Sequence, residues 1–324
     1  MHKKLKPKLT SEFEIEVYQG LTTYPKYLSS KYIYDKAGDK LFQDIMAMPE
    51  YYLTDTEFSI LENYKEEITS YFTSGKKPFH LIEMGAGDGK KTKILLRHFI
   101  DKNIDFTFRP IDISQNALDS LKENLEKEIP HLKTEPLQGT YFETLETLHF
   151  NSDERKVILF LGSNIGNLLH EQAIEFLSKV QSYMLPNDLL FIGFDQKKNP
   201  QTILDAYNDQ TGITAAFNKN LLVRINKELN ADFNLDNFTH WEVYNPETGT
   251  AKSFLVSKEN QKVSIDDLNL EIYFDAWETI HTEISQKYDN KTVKWLAEKS
   301  GLQVVSEFTD SKNYYKNYLF KKSI

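Results

Sequence analysis

The chain has 324 residues, enough for one large domain or two interwoven ones, and its 40% hydrophobic content allows a sizeable core. A net charge of −9 argues against nucleic acid, whose binding rests on Lys and Arg neutralising phosphates, and the absence of cysteine excludes disulfides and thiolate metal sites. No apolar run approaches ~18 residues, so no membrane span is expected; the start, Met1-His2-Lys3-Lys4, shows no apolar signal core, and Lys3–Lys4 and Lys321–Lys322 read as solvated tails.

In chain order, residues 1–57 read as loops and short helices. Tyr24-Pro25-Lys26 is extended or turn, because the residue before proline avoids the α region. Gly38 is expected to break the chain ahead of a short helix, Asp39–Met46, that Pro49 ends. Thr54 with Glu57 has the spacing of a capping box, followed by Phe58, Leu61 and Ile68 at helical period.

Strands then alternate with helices. Phe79–Glu83 is a strand and Lys91–Phe99 a helix. Phe106–Ile111 and Ala117–Glu128 repeat the pair. Thr134–Leu137 is a weak strand, Val157–Leu161 a strong one followed by helix Glu171–Met184, and Leu189–Phe194 is a fifth strand. Such β–α units imply a parallel sheet with helices on both faces. From about residue 197 to 285 the rhythm stops. Helices are expected near Ile203–Tyr207 and over Phe217–Leu229, with strands near Trp241–Tyr244, Ser253–Val256 and Leu270–Phe274. Helix Lys291–Lys299 and a closing antiparallel hairpin, Leu302–Phe308 with Tyr314–Phe320, resume the first pattern. The pattern predicts an α/β domain of residues 58–196 plus 286–324, interrupted by a second, α+β domain of residues 197–285 that packs with residues 1–57.

The loop Gly85-Ala86-Gly87-Asp88-Gly89 joins the first strand of this pattern to its helix. Glycines there let backbone approach a ligand, and the helix start offers free N–H groups. Asp112 ends the second strand, where a carboxylate can accept from two ribose hydroxyls. The spacing fits neither G-x-G-x-x-G nor G-x-x-x-x-G-K-[ST]. It does resemble the G-x-G-x-G loop of class I (Rossmann-like) S-adenosylmethionine-dependent methyltransferases, a fold that typically closes its sheet with an antiparallel strand. Gly85 and Gly87 are therefore candidate cofactor contacts.

Longer blocks sharpen the resemblance. Tyr32-Ile33-Tyr34-Asp35-Lys36-Ala37-Gly38, Pro49-Glu50-Tyr51-Tyr52-Leu53-Thr54-Asp55-Thr56-Glu57, Phe160-Leu161-Gly162-Ser163-Asn164-Ile165-Gly166-Asn167, Ala206-Tyr207-Asn208-Asp209 and Thr282-Glu283-Ile284-Ser285 together resemble the histidine Nα-methyltransferase family. That family makes hercynine, trimethylated histidine, on the route to ergothioneine. The resemblance implies S-adenosyl-L-methionine as cofactor, held by Gly85, Lys91, Asp112 and the Thr140-Tyr141 loop. The family usually carries an acidic residue where Thr140 stands. The resemblance further implies L-histidine as substrate, held by Tyr51, Asn167, Tyr207, Glu283, Ile284 and Ser285, with Tyr34 orienting the amine. The chemistry agrees. Asn167 follows an apolar strand and can both donate and accept. Glu283 and Ser285, two apart in an extended segment, share a face and can meet two imidazole nitrogens.

Methyl transfer from a sulfonium needs no nucleophilic residue, and no dedicated general base is evident. The alternatives are the same chemistry on a tryptophan derivative, a non-enzymatic cofactor-binding regulator, and a nicotinamide dehydrogenase, which the glycine spacing disfavours. Metal catalysis lacks a motif: His170-Glu171 is not completed to H-E-x-x-H, and His281 has no cysteine partners. A cytoplasmic monomer with a small-molecule partner, and with neither nucleic acid nor membrane, is expected.

Overall fold

A computed structural model describes residues 9–75, 77–151 and 154–323; the start of the chain, with Lys3–Lys4, lies outside them. The chain opens with helix α1 (Glu12–Thr22), a two-residue strand β1 (Lys26–Tyr27), and helices α2 (Lys36–Met46) and α3 (Leu53–Phe72). There follow β2 (Phe79–Met84), α4 (Thr92–Asp101), β3 (Phe106–Asp112), α5 (Gln115–Glu128), β4 (Leu137–Gln138), α6 (Tyr141–Asn151), β5 (Arg155–Phe160), α7 (His170–Ser182) and β6 (Leu189–Asp195). Next come α8 (Pro200–Tyr207), α9 (Ile213–Glu228), β7 (Phe238–Asn245), β8 (Thr250–Ser257), β9 (Gln261–Ile265), β10 (Leu270–Phe274) and β11 (Thr279–Gln286). Helix α10 (Asn290–Lys299) and strands β12 (Leu302–Thr309) and β13 (Tyr315–Lys322) finish the chain.

Two compact units result: residues 1–52 with 198–285, and residues 53–197 with 286–324. The first junction falls at Leu53, where α3 begins, rather than at residue 58.

The larger unit is built on a seven-stranded sheet of order β12-β13-β6-β5-β2-β3-β4. Strands β2 to β6 run parallel, and β13 enters antiparallel between β6 and β12. Counted within this sheet alone, the order is 3-2-1-4-5-7-6. Central strands read as continuous apolar runs because both faces are covered by helices. Their period of two sorts the side chains. Val157, Leu159 and Phe191 face a layer with Phe72, Leu95 and Phe99, whereas Ile158, Phe160, Ile192 and Phe194 face Leu177, Val180 and Leu296. Each such fully buried side chain contributes about 1.5–3 kcal/mol.

The smaller unit carries the sheet β1-β11-β8-β7 and the hairpin β9–β10. Val17 and Leu21 of α1, Ile45 of α2, and Phe217, Leu221 and Ile225 of α9 share one core with Phe238, Leu255 and Ile280 of its strands.

Several expectations are corrected. Gly38 does not break the chain; it lies in the first turn of α2, which Asp35 caps by accepting from the Ala37 and Gly38 N–H groups at 3.0 and 2.8 Å. A Cβ on Gly38 would stand 1.8 Å from the Ile33 carbonyl oxygen, so the glycine answers close packing. Thr54 and Glu57 form no capping box: both lie inside α3, and the Glu57 carboxylate is spent elsewhere. The weak strand expected at Thr134–Leu137 pairs only as Leu137–Gln138, with Thr134 a lone bridge to Phe108. Helix α6 and strands β9 and β11 were not anticipated.

Candidate active site

In the larger unit the glycine loop leaves β2 and enters α4. Gly85 has φ +74°, and a Cβ there would come 2.7 Å from the Tyr141 hydroxyl, so glycine alone lets the loop pass beneath that phenol. Gly87, at φ +53°, faces open space. Tyr141 opens α6, and its phenol is raised to about 12 by burial first, then by the negative charges of Asp112 and Glu83. Asp112 is the last residue of β3; its Oδ1 accepts from the Ser114 N–H at 2.8 Å, which fixes the carboxylate at the carboxyl edge of the sheet. Gly85, Tyr141 and Asp112 thus lie together.

Lys91 stands at the entrance to α4 and pairs with the buried Glu57. Glu83, two residues before the loop, is fully enclosed; burial lifts its carboxyl to about 8 against the Thr92 hydroxyl, which donates to it at 2.5 Å, and against nearby Lys91. It is therefore mostly neutral at pH 7. Thr140 caps α6: its hydroxyl donates to Glu143 at 2.6 Å, and its N–H donates to the same carboxylate at 3.1 Å. With that proton committed, the Thr140 oxygen presents lone pairs, so it can act toward a ligand only as an acceptor.

Asn167 ends a short 3₁₀ turn, Asn164–Asn167, and is exposed. Asn164, not singled out from the sequence, is the asparagine whose amide lies near the glycine loop, 3.8 Å from a Cβ placed on Gly85. The same apolar-strand-then-Gly-Ser-Asn signal that pointed to Asn167 applied to Asn164 three residues earlier.

In the smaller unit, strand β11 carries Glu283, Ile284 and Ser285. Thr282 points inward, its hydroxyl donating to Asn218 at 2.6 Å. Strand alternation therefore puts Glu283 and Ser285 on the opposite face, and leaves Ile284 on the face of Thr282. Ser285 Oγ shares a hydrogen bond with the Tyr207 hydroxyl at 2.7 Å. Tyr207 meets Tyr51 at 6.4 Å between ring centroids, and Tyr51 meets Phe42 at 6.3 Å. Phe42 and Phe217 meet Tyr34 at 5.6 and 5.5 Å. One aromatic wall thus runs from Ser285 to Tyr34. Tyr34 keeps 40% of its surface exposed, yet protein crowds its phenol. That desolvation, followed by the charge of Glu283, raises its pKa well above the ordinary tyrosine value. Its hydroxyl therefore stays protonated near neutral pH.

A 3-2-1-4-5-7-6 sheet with its seventh strand antiparallel, a G-x-G-x-G loop after its first strand and an acidic residue ending its second define a class I S-adenosylmethionine-dependent methyltransferase. The model of the histidine-specific, S-adenosylmethionine-dependent methyltransferases matches residues 13–322, and the chain belongs to that family. A histidine N-alpha-methyltransferase of Mycolicibacterium smegmatis is 35% identical over 91% of this chain and 90% of its own length. Its namesake from Mycobacterium tuberculosis is 33% identical over the same shares. Ergothioneine biosynthesis protein 1 of Schizosaccharomyces pombe is 29% identical over 91% of this chain and 39% of its own length.

Proposed function

We propose that the enzyme trimethylates the α-amino group of L-histidine to hercynine, with S-adenosyl-L-methionine as the methyl donor. The observation that carries this reading is the paired presentation of Glu283 and Ser285 on one face of β11, with Tyr207 fixing the Ser285 hydroxyl. A carboxylate accepts a hydrogen bond from one imidazole N–H, and a hydroxyl serves the other nitrogen in either tautomer. An indole nitrogen would occupy one of these partners and leave the second unpaired, at a cost of about 1–3 kcal/mol.

The bound donor supplies an activated sulfonium methyl. Residues of this chain are left to position and to shield. Gly85, Gly87, Asp112, Thr140 and Tyr141 cradle the nucleoside, Lys91 faces the methionine end, and Asn167 is assigned to the amino-acid backbone. Tyr51 and Tyr207 wall the substrate, and Ile284 contributes through its backbone. Tyr34, neutral, orients the amine lone pair. Orientation of this kind supplies roughly 7–11 kcal/mol in favourable cases. The amine must shed a proton before each transfer, and solvent accepts it.

Incubation with histidine and S-adenosylmethionine, read by mass spectrometry, is expected to add three methyls to histidine. Unchanged histidine while a tryptophan derivative is consumed would transfer the reading to that substrate. No turnover with any amine would make the chain a cofactor-binding regulator. Among the described residues no helix is long and apolar enough to cross a membrane. A cytoplasmic monomer is the state we assign, and gel filtration tests its stoichiometry.

A further inference from the structure

Glu57 is the most completely enclosed charge near the glycine loop, with no exposed side-chain surface, whereas its partner Lys91 keeps 23% of its own. Its Oε2 accepts from the Lys91 ammonium and from the Gly162 N–H at 2.7 Å, and its Oε1 accepts from the Asn317 amide at 2.9 Å. The fold makes room for it. A Cβ on Gly193, in β6, would lie 2.2 Å from Glu57 Oε1, and a Cβ on Gly162 would lie 3.3 Å from Lys91 Nζ. Residues from α3, α4, β13 and the turn after β5 therefore converge on a single carboxylate behind the loop. Simple helix stabilisation needs none of this.

The electrostatic demand of the reaction explains it. S-adenosylmethionine carries a sulfonium cation, and S-adenosylhomocysteine, left after transfer, does not. A lone ammonium beside the loop would attract the methionine carboxylate of both, but would repel the sulfonium of the reactant alone. We propose that Glu57 is a positioning and charge-balancing residue, which neutralises Lys91 so that its ammonium can hold the methionine end of the donor without favouring the uncharged-sulfur product over the sulfonium reactant. This rests on the placement of Lys91 at the cofactor given above.

Glu57→Gln isolates the charge. The new amide oxygen keeps Lys91 and Gly162, and the new amide N–H finds Asn317 Oδ1, a buried acceptor that has no partner among the described residues. Rotation of the Asn317 amide completes the exchange. The variant is expected to melt within about 5 °C of the parent. Its ratio of dissociation constants, S-adenosylmethionine over S-adenosylhomocysteine, should rise about tenfold by calorimetry, as expected for a unit charge at short range in a partly solvated site. Product inhibition by S-adenosylhomocysteine should sharpen in parallel. A second variant, Glu57→Gln with Lys91→Met, removes both charges; both ligands should weaken, and the ratio should return to the parental value. A Glu57→Gln protein that folds but loses both ligands equally, or neither, overturns the charge-balancing role. A double variant that binds both ligands like the parent overturns the placement of Lys91 at the cofactor, and the proposal with it.

Discussion

Gly193→Ala is the sharpest test of how the larger unit is packed. Gly193 lies in the middle of β6, and its added methyl would sit 2.2 Å from Glu57 Oε1, 2.2 Å from the Tyr315 hydroxyl and 2.9 Å from Tyr315 Cε1. Both neighbours are side-chain ends, which ordinarily yield. Here neither has anywhere to go, because Glu57 and Tyr315 are completely buried. Overpacking alone costs about 1–3 kcal/mol. Displacing Glu57 also detaches a buried carboxylate from Lys91, Gly162 and Asn317, and breaking a buried pair costs about 3–5 kcal/mol. Partial relaxation makes the two overlap, so a loss of roughly 3–5 kcal/mol is expected. At about 2–4 °C per kcal/mol for a unit of this size, the melting temperature should fall by roughly 6–20 °C. Differential scanning calorimetry with urea unfolding as a second probe reads this directly. An alanine variant that melts with the parent would refute the packing argument, since no accommodation short of moving Glu57 or Tyr315 avoids the contact.

Other consequences follow from single features. Glu283→Ala should weaken histidine by at least about tenfold while sparing S-adenosylhomocysteine, the loss expected when a charge-assisted hydrogen bond is removed; equal calorimetric losses for both ligands would remove Glu283 from the substrate. Burial holds the His240 imidazole down to about 4, against the opposing pull of Asp209. The folded state therefore binds fewer protons than the unfolded one, and stability present above about pH 6.5 drains away as pH falls toward 4, by up to about 3 kcal/mol. His240→Leu should flatten that slope in acid melts, and an unchanged slope would refute the assignment. Lys287 and Asp195 form a pair at 2.8 Å with neither side chain exposed. Lys287→Met removes one partner of this buried pair and should cost about 3–5 kcal/mol in urea unfolding; a loss below about 1 kcal/mol would refute the importance of the pair to the fold.

The parallel sheet was legible because its strands obey a local rule. Val157–Leu161 and Leu189–Phe194 are apolar throughout, and only a strand covered on both faces reads so. The closing hairpin reads differently: β12 is an edge strand whose buried Leu302 and Phe308 are interspersed with exposed Gln303 and Glu307. Glu57 was not. Its spacing from Thr54 matches a helix cap, and nothing local reports that Lys91, Gly162 and Asn317 converge on it from distances of up to 260 residues. Strand β11 was missed because Thr279–Gln286 mixes buried Ile280 and Thr282 with half-exposed polar residues, so its hydrophobic signal is weak. Glu283 and Ser285 within it are singled out by the family resemblance, and their spacing of two only places them on one face. Asn164 beside the glycine loop was not legible because its placement depends on the turn Asn164–Asn167, which Ser163 enters at φ +56°. Helix α6 was missed although Thr140 and Glu143 have the same capping-box spacing as Thr54 and Glu57; here the Glu143 carboxylate does reach back to the Thr140 N–H.

The smaller unit is assembled from two distant stretches of chain, and β1 aligns Lys26 with Ile280 and Tyr27 with His281. During synthesis at about 5–20 residues per second, the first stretch emerges tens of seconds before its partner exists. Val17, Leu21, Ile33 and Ile45, which end up almost entirely enclosed, spend that interval without their core. The larger unit likewise lacks β13 until Tyr315–Lys322 is made. Nascent chains of this enzyme thus carry exposed apolar segments until the later stretch is made.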